Sequence, residues 1–151
     1  MAKKITAQEA AALVKDGMTV MVGGFLSVGG ANEVLHAIAE AGAKNLTVIC
    51  NDGGQPKLPH GVHEMIHNGQ VAHLIATHIG INPEVGQMMN EGTMKVTLVP
   101  QGSMAEKVRA GGYGLGGVLT PTGLGTPVGE EAGKPVYTIN GKEYLFEEPL
   151  H

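Results

Sequence analysis

Residues 63 to 73 read HEMIHNGQVAH, and within them His63, Glu64 and His67 spell H-E-x-x-H. On a helix that spacing sets two imidazoles one turn apart to hold zinc while the glutamate activates a bound water. His73 stands where one family of zinc proteases has its third ligand. A second stretch, GGFLSVGG at residues 23–30, brings glycines to the end of an apolar run, where a backbone turns sharply or approaches a ligand closely. Cys50 next to Asn51 is the one thiol available as a nucleophile, but no His or cationic neighbour in the sequence would lower its pKa, so a small buried residue is expected there.

The elements that must position these groups decide between the readings. A zinc helix has to be long and rigid, whereas this segment starts after Pro59, contains Gly61 and ends at Asn68-Gly69. The three-histidine pattern also needs a glycine three residues past the second His; that position is Gln70. His73 falls inside an apolar run that reads as a strand. Surface or packed histidines are therefore expected and no metal site is assigned, with a zinc hydrolase built on His63, Glu64 and His67 kept as an alternative.

Along the chain, short apolar runs at residues 18–22, 46–50, 71–77 and 95–99 alternate with amphipathic stretches at 6–15, 32–40, 60–68, 82–91 and 103–110. Thr6 and Glu9 make a capping box, and Gly42 stops the second helix. Continuous apolar strands between helices predict an α/β fold: an open, mostly parallel sheet with helices on both faces. Asn140-Gly141 between residues 136–139 and 143–146 predicts a C-terminal β-hairpin. With no interdomain linker visible, residues 1–151 read as one domain.

In such sheets ligands bind beyond the C-terminal strand ends. The loops at 23–30, 51–54 and 100–102 are thus expected to converge on one rim. His78, ending the third strand run, is read as a structural hydrogen-bonding residue with a rim role as its alternative. Nucleotide readings of the first loop fail on detail: Gly24 and Gly29 have the Walker spacing, but Gly30-Ala31 replaces Lys-Ser/Thr, and that loop holds no G-x-G-x-x-G.

Composition narrows the partners. Of 151 residues 24 are glycine, against a usual share of roughly 7%. A net charge of -4 with three Tyr, two Phe and no Trp gives neither a basic surface nor stacking platforms, so no nucleic-acid partner is expected. The chain has no long apolar run and no secretory-type start, and its single cysteine agrees with a reducing compartment; a cytoplasmic protein without a membrane partner is expected.

The segment DGMTVMVGGFLSVGG resembles the signature of the α subunit of family I coenzyme A transferases, and ATHIGINPE, LVPQGSMAEKVRAGG and TPTGLGTPV resemble the same subunit in the same order. The likeness covers almost the whole chain and is to subunits acting on acetate, acetoacetate or butyrate. It departs from the signature at Gly29-Gly30-Ala31, where the family has Gly-x-Pro; Ala can also open a helix. The family subunit normally continues beyond EEPL, so this chain is expected to lack a C-terminal segment.

The resemblance implies transfer of coenzyme A from a short-chain acyl-CoA to a free carboxylic acid by a ping-pong route, the attacking glutamate lying on a partner β subunit of a hetero-oligomer. It implies no catalytic nucleophile in this chain and no permanently bound cofactor, coenzyme A thioester being the substrate. Gly23, Gly24, Phe25, Asn51, Gln101 and Gly102 are the substrate-binding and CoA-binding candidates. The glycines would bring backbone amides near an oxygen, Phe25 would exclude water, and Asn51 would donate to the oxyanion. A noncatalytic scaffold or regulatory subunit is the other alternative.

Overall fold

Thr6 opens α1 (Ala7–Ala11) through the capping box that the sequence predicts: its side chain accepts from the Glu9 amide at 3.1 Å, and the Glu9 carboxylate accepts from the Thr6 amide at 2.8 Å. The helix is shorter than expected, giving way after Ala11. In the computed structural model, which describes residues 3–130 and 133–151, the chain forms two compact units, Met1–Thr97 and Leu98–His151.

In the first unit β1 (Thr19–Met21), α2 (Asn32–Ala41), β2 (Leu46–Asp52), α3 (Val62–His67), β3 (Val71–His78) and α4 (Pro83–Glu91) follow in alternation, and β4 (Lys95–Leu98) completes a four-stranded sheet in the order β1-β2-β3-β4. The pairs β1/β2 and β2/β3 are parallel. Gly42 ends α2 in the left-handed conformation, and Asn82 caps α4 with Pro83 in its first turn, as local rules predict.

Leu46, Val48 and Cys50 of β2 and Leu74 and Ala76 of β3 join Leu35 and Ile38 of α2, Val62, Met65 and Ile66 of α3, and Val85 of α4 in one buried cluster. Ile49, pointing the other way from β2, is also buried, so this strand reads as a continuous apolar run because both its faces are covered. Fully burying side chains of this size contributes about 1.5–3 kcal/mol each, and that packing fixes the strand tips from which the site loops leave.

In the second unit α5 (Gln101–Tyr113) is followed by β5 (Val118–Thr120), a short helix α6 (Pro127–Glu130), β6 (Val136–Ile139) and β7 (Lys142–Glu147). The predicted hairpin is present, with Asn140 at φ 51° and Gly141 at φ 74°, the two left-handed central residues of a tight turn. It is part of something larger: β5 pairs antiparallel with β7, giving a three-stranded sheet in the order β5-β7-β6.

α5 extends past the amphipathic stretch at 103–110: Gly111 and Gly112 are both helical, and a Cβ on Gly111 would collide with the Leu150 carbonyl. Among the described residues no helix is long and apolar enough to cross a membrane.

Candidate functional site

The loop leaving β1 folds into a four-residue turn. Phe25 and Val28 exchange both backbone hydrogen bonds, at 3.1 and 2.9 Å, around Leu26 and Ser27, which sit at φ 53° and 63°. Two left-handed central residues define the turn that normally selects Asn-Gly. Placing Leu and Ser there costs roughly 1–2 kcal/mol per residue, a strain that persists only where surroundings impose it.

The surroundings are Asp52 and Asn32. The buried Asp52 carboxylate accepts from the Leu26 amide at 2.9 Å through Oδ2 and from the Gly54 amide at 2.8 Å through Oδ1, so one side chain ties the β1 and β2 loops together. Asn32, the first residue of α2, donates from Nδ2 to the Ser27 carbonyl at 3.0 Å. Gly24, at φ 104°, is required by the same fold-back: a Cβ there would stand 2.8 Å from the Gly30 nitrogen and the Val28 carbonyl oxygen.

The sequence reading missed Asp52 as a site residue. Its signal was local: Asn51-Asp52-Gly53-Gly54 has the composition of a turn in which an Asp side chain captures the amide two residues on, which is the Gly54 contact.

Beneath the turn lies a cavity of about 20 Å³, lined in part by Gly23, Gly24, Ser27, Asn32, Cys50 and Asp52. That is room for one water and for no acyl group. The exposed side of the turn is apolar, with Phe25 51% and Val28 76% accessible. Turn formation uses the Phe25 and Leu26 amides; among the described residues those of Gly23 and Gly24 have no protein acceptor. Asn51 belongs to β2 and not to the loop after it. By strand alternation its side chain faces away from the side on which Cys50 and Asp52 line the cavity. Its carbonyl accepts from the Thr77 hydroxyl at 2.9 Å.

Gln101 and Gly102, expected in a strand-end loop, are instead the first two residues of α5, in the second unit. Of the three loops predicted to share a rim, then, the first two are joined by the Asp52 hydrogen bonds, and the third is a helix start.

Cys50 is a structural residue. Burial, with the Asp52 charge adding to it, pushes its thiol up to about 12, and its S–H donates to the Asp52 carbonyl at 3.0 Å.

The H-E-x-x-H residues separate. α3 is a six-residue helix; His63 is buried on it with Nδ1 unpartnered among the described residues, and burial lowers its pKa. His67 is exposed and pairs through Nδ1 with Glu84 at 3.1 Å. Glu64 turns to His36 and His60, at 2.7 and 3.0 Å. The zinc-hydrolase alternative on His63, Glu64 and His67 is thereby corrected: the only clustering of potential ligands among the described residues is His36, His60 and Glu64. His73 lies in β3 as expected, its Nε2 at 2.8 Å from the Thr97 hydroxyl. His78, the last residue of β3, is exposed.

Comparison with known proteins bears on the same segments. The profile of the coenzyme A transferase family matches residues 4–151. The acetate CoA-transferase α subunit of Escherichia coli K12 is 48% identical over 98% of this chain and 66% of its own length. The α subunit of the acetoacetyl-CoA:acetate/butyrate CoA transferase of Clostridium acetobutylicum is 48% identical over 90% and 61%. The chain thus spans a little under two thirds of these relatives. In fold it is similar to an acyl-CoA transferase of Escherichia coli O157:H7 solved as a thioester complex with CoA, with a TM-score of 0.82 at 23% identity, covering 97% of this chain and 32% of that one. By the family match and by relatives this similar, the chain belongs to the coenzyme A transferase family.

Proposed function

We propose that this chain is the α-type subunit of a cytoplasmic CoA-transferase that moves coenzyme A between a short-chain acyl-CoA and a free acid of the acetate, acetoacetate or butyrate class. The observation that carries the reading is 48% identity, over 98% of the chain, to a relative named as an acetate CoA-transferase α subunit. In support, the strained glycine turn lies where parallel sheets bind ligands.

The chemistry runs in two halves. A glutamate carboxylate on the partner β subunit attacks the thioester carbonyl, giving an acyl-glutamyl anhydride and releasing the CoA thiolate. The thiolate then attacks the glutamyl carbonyl, releasing the first acid and leaving a glutamyl-CoA thioester. The second acid reverses these steps and departs as its CoA ester. No resident cofactor is needed, because the thioester itself supplies the activated carbonyl.

This chain contributes one wall. The Gly23 and Gly24 amides donate toward the oxyanion of the attacked carbonyl, and Phe25 keeps water from the anhydride. Asn51, whose side chain leaves β2 on the face away from the cavity, is assigned to approach that oxyanion from the other side of the strand tip. Gln101 and Gly102 are assigned as substrate contacts by resemblance; the first-turn amides of a helix such as α5 are hydrogen-bond donors by construction. With a net charge of -4, the chain leaves most of the grip on the CoA phosphates to the β subunit.

The test is co-expression with a CoA-transferase β subunit and an exchange assay between acetyl-CoA and acetoacetate or butyrate. Exchange is expected in the complex, and Asn51→Ala is expected to lower kcat about 10²–10³-fold while the subunits stay associated. A complex without exchange would favour the scaffold alternative, and an unchanged kcat would remove Asn51 from the oxyanion site.

A further inference from the structure

Outside the glycine turn, one cluster of side chains is unexplained by CoA transfer. His36 on α2, His60 in the loop before α3, and Glu64 on α3 bring one potential ligand atom each within 4.8 Å of one another. Both histidines present Nδ1 to the one carboxylate, His36 to Oε2 at 2.7 Å and His60 to Oε1 at 3.0 Å, and their rings lie 4.1 Å apart, tilted by 37°.

We propose that His36, His60 and Glu64 form a binding site for one divalent transition-metal ion, for which Zn²⁺ is the best fit, bracing α2, the preceding loop of α3 and α3 against one another. Two imidazoles and a carboxylate are a zinc donor set. Ligand atoms at 2.0–2.1 Å from a tetrahedral zinc stand about 3.3 Å from each other. The two Nδ1 atoms stand 2.7 and 3.0 Å from the two oxygens of Glu64 and all the ligand atoms lie within 4.8 Å, so small side-chain rotations bring them to that spacing. One dication would take the place of the two Nδ1–carboxylate hydrogen bonds that now link the rings to Glu64.

The donors are held in place by the core. Leu35 and Ile38 flank His36 on the buried side of α2, as Met65 and Ile66 flank Glu64 on α3, all four 4% exposed or less. The other nitrogen of His36, Nε2, faces Glu40 at 3.6 Å. A carboxylate behind a ligating histidine fixes the tautomer and ring orientation that a metal requires. His36, His60 and Glu64 are 34%, 30% and 19% exposed, so an ion can enter and a water can take the fourth position.

The site also adjoins the strained turn. A Cβ on Gly61, next to His60, would come within 2.9 Å of the Ser27 hydroxyl, and α2 begins with Asn32, which holds the Ser27 carbonyl. Metal binding would therefore stiffen the support of the turn without touching substrate.

The experiment is a calorimetric titration of the 151-residue chain with ZnCl₂ at neutral pH, paired with Co²⁺ absorption spectra and thermal melts. One Zn²⁺ per chain is expected, with micromolar or tighter affinity, a tetrahedral Co²⁺ spectrum and a higher melting temperature. His60→Ala and His36→Gln should each weaken binding at least about a hundredfold and abolish the rise in melting temperature. His67→Ala should leave both unchanged, and far-UV circular dichroism would establish that each variant is folded. No binding below millimolar Zn²⁺, binding that survives the His36→Gln/His60→Ala double variant, or binding lost with His67 would each overturn the proposal.

Discussion

The two units are held together in different ways. The first unit has its apolar cluster at the centre, from Ala11 on α1 to Met94 before β4, and polar groups gather at its strand tips. In the second unit the most buried large side chain is a charged one: Glu147, at the end of β7 and 1% exposed, accepts from Lys107 Nζ at 2.8 Å and from Lys134 Nζ at 2.6 Å. Burial by itself would raise the Glu147 pKa, but the hydrogen bonds from Lys107 and Lys134 outweigh it and hold the carboxyl below its ordinary value. The contrast teaches where each unit is vulnerable. An apolar core keeps the first unit intact when a site residue changes, whereas in the second a single proton or truncation reaches the centre.

The largest effect should come from breaking the second unit. Glu147→Ala leaves two nearly buried ammonium groups without their carboxylate, and removing one partner of a buried pair costs about 3–5 kcal/mol. Urea unfolding should register that loss, and amide exchange should place it in residues 98–151. The pH dependence has a definite sign. Because the native Glu147 pKa is depressed, its stabilisation is complete above the unfolded value of 4.5 and disappears as pH falls through the native one. Acid should therefore open the second unit, and the Glu147→Ala variant should have lost this acid step.

A middle-sized effect should sharpen the contrast within the first unit. Asp52→Asn removes a charge that accepts from two loop amides, and hydrogen bonds to charged groups contribute about 1.5–3 kcal/mol each. Proteolysis and amide exchange should accelerate at residues 23–30, while the core amides of β2 and β3 stay protected. Equal loss of protection across the whole unit would mean that Asp52 holds the core as well as the turn.

The smallest effect should have the opposite sign. Ser27→Gly relieves a left-handed conformation and should raise the melting temperature by an amount equivalent to about 1 kcal/mol or less. Destabilisation would show that the turn is not strained at that residue.

How much of this was legible in the sequence follows the range of the interactions. The Thr6 capping box, the Gly42 stop, the Asn82-Pro83 helix start and the Asn140-Gly141 turn depend on residues at most a few positions apart, and each is present. The alternation of apolar strands and helices likewise gave the parallel sheet, because burying both faces of a strand leaves a continuous apolar run. What local pattern does not carry is pairing across the chain. Asp52 reaches Leu26 over 26 residues and Glu64 reaches His36 over 28, so neither contact has a spacing to recognise.

The same limit explains the misplacements. β5 has three residues and exists because β7 pairs with it, and Gly111 inside α5 marks the close approach of the Leu150 carbonyl and not a helix end. H-E-x-x-H misleads for the converse reason: its spacing is local, but α3 is too short to use it, and each of its three residues has its environment set by other elements or by the core.

The central claim is that this chain provides a glycine-turn wall while a partner provides the attacking carboxylate. Intact-mass measurement of both polypeptides, after the complex with a β subunit is mixed with acetyl-CoA, tests it most directly. The account predicts a CoA adduct on the β subunit alone, removed by a second acid such as butyrate. A CoA adduct on this chain, or none on either polypeptide of an exchanging complex, would contradict it.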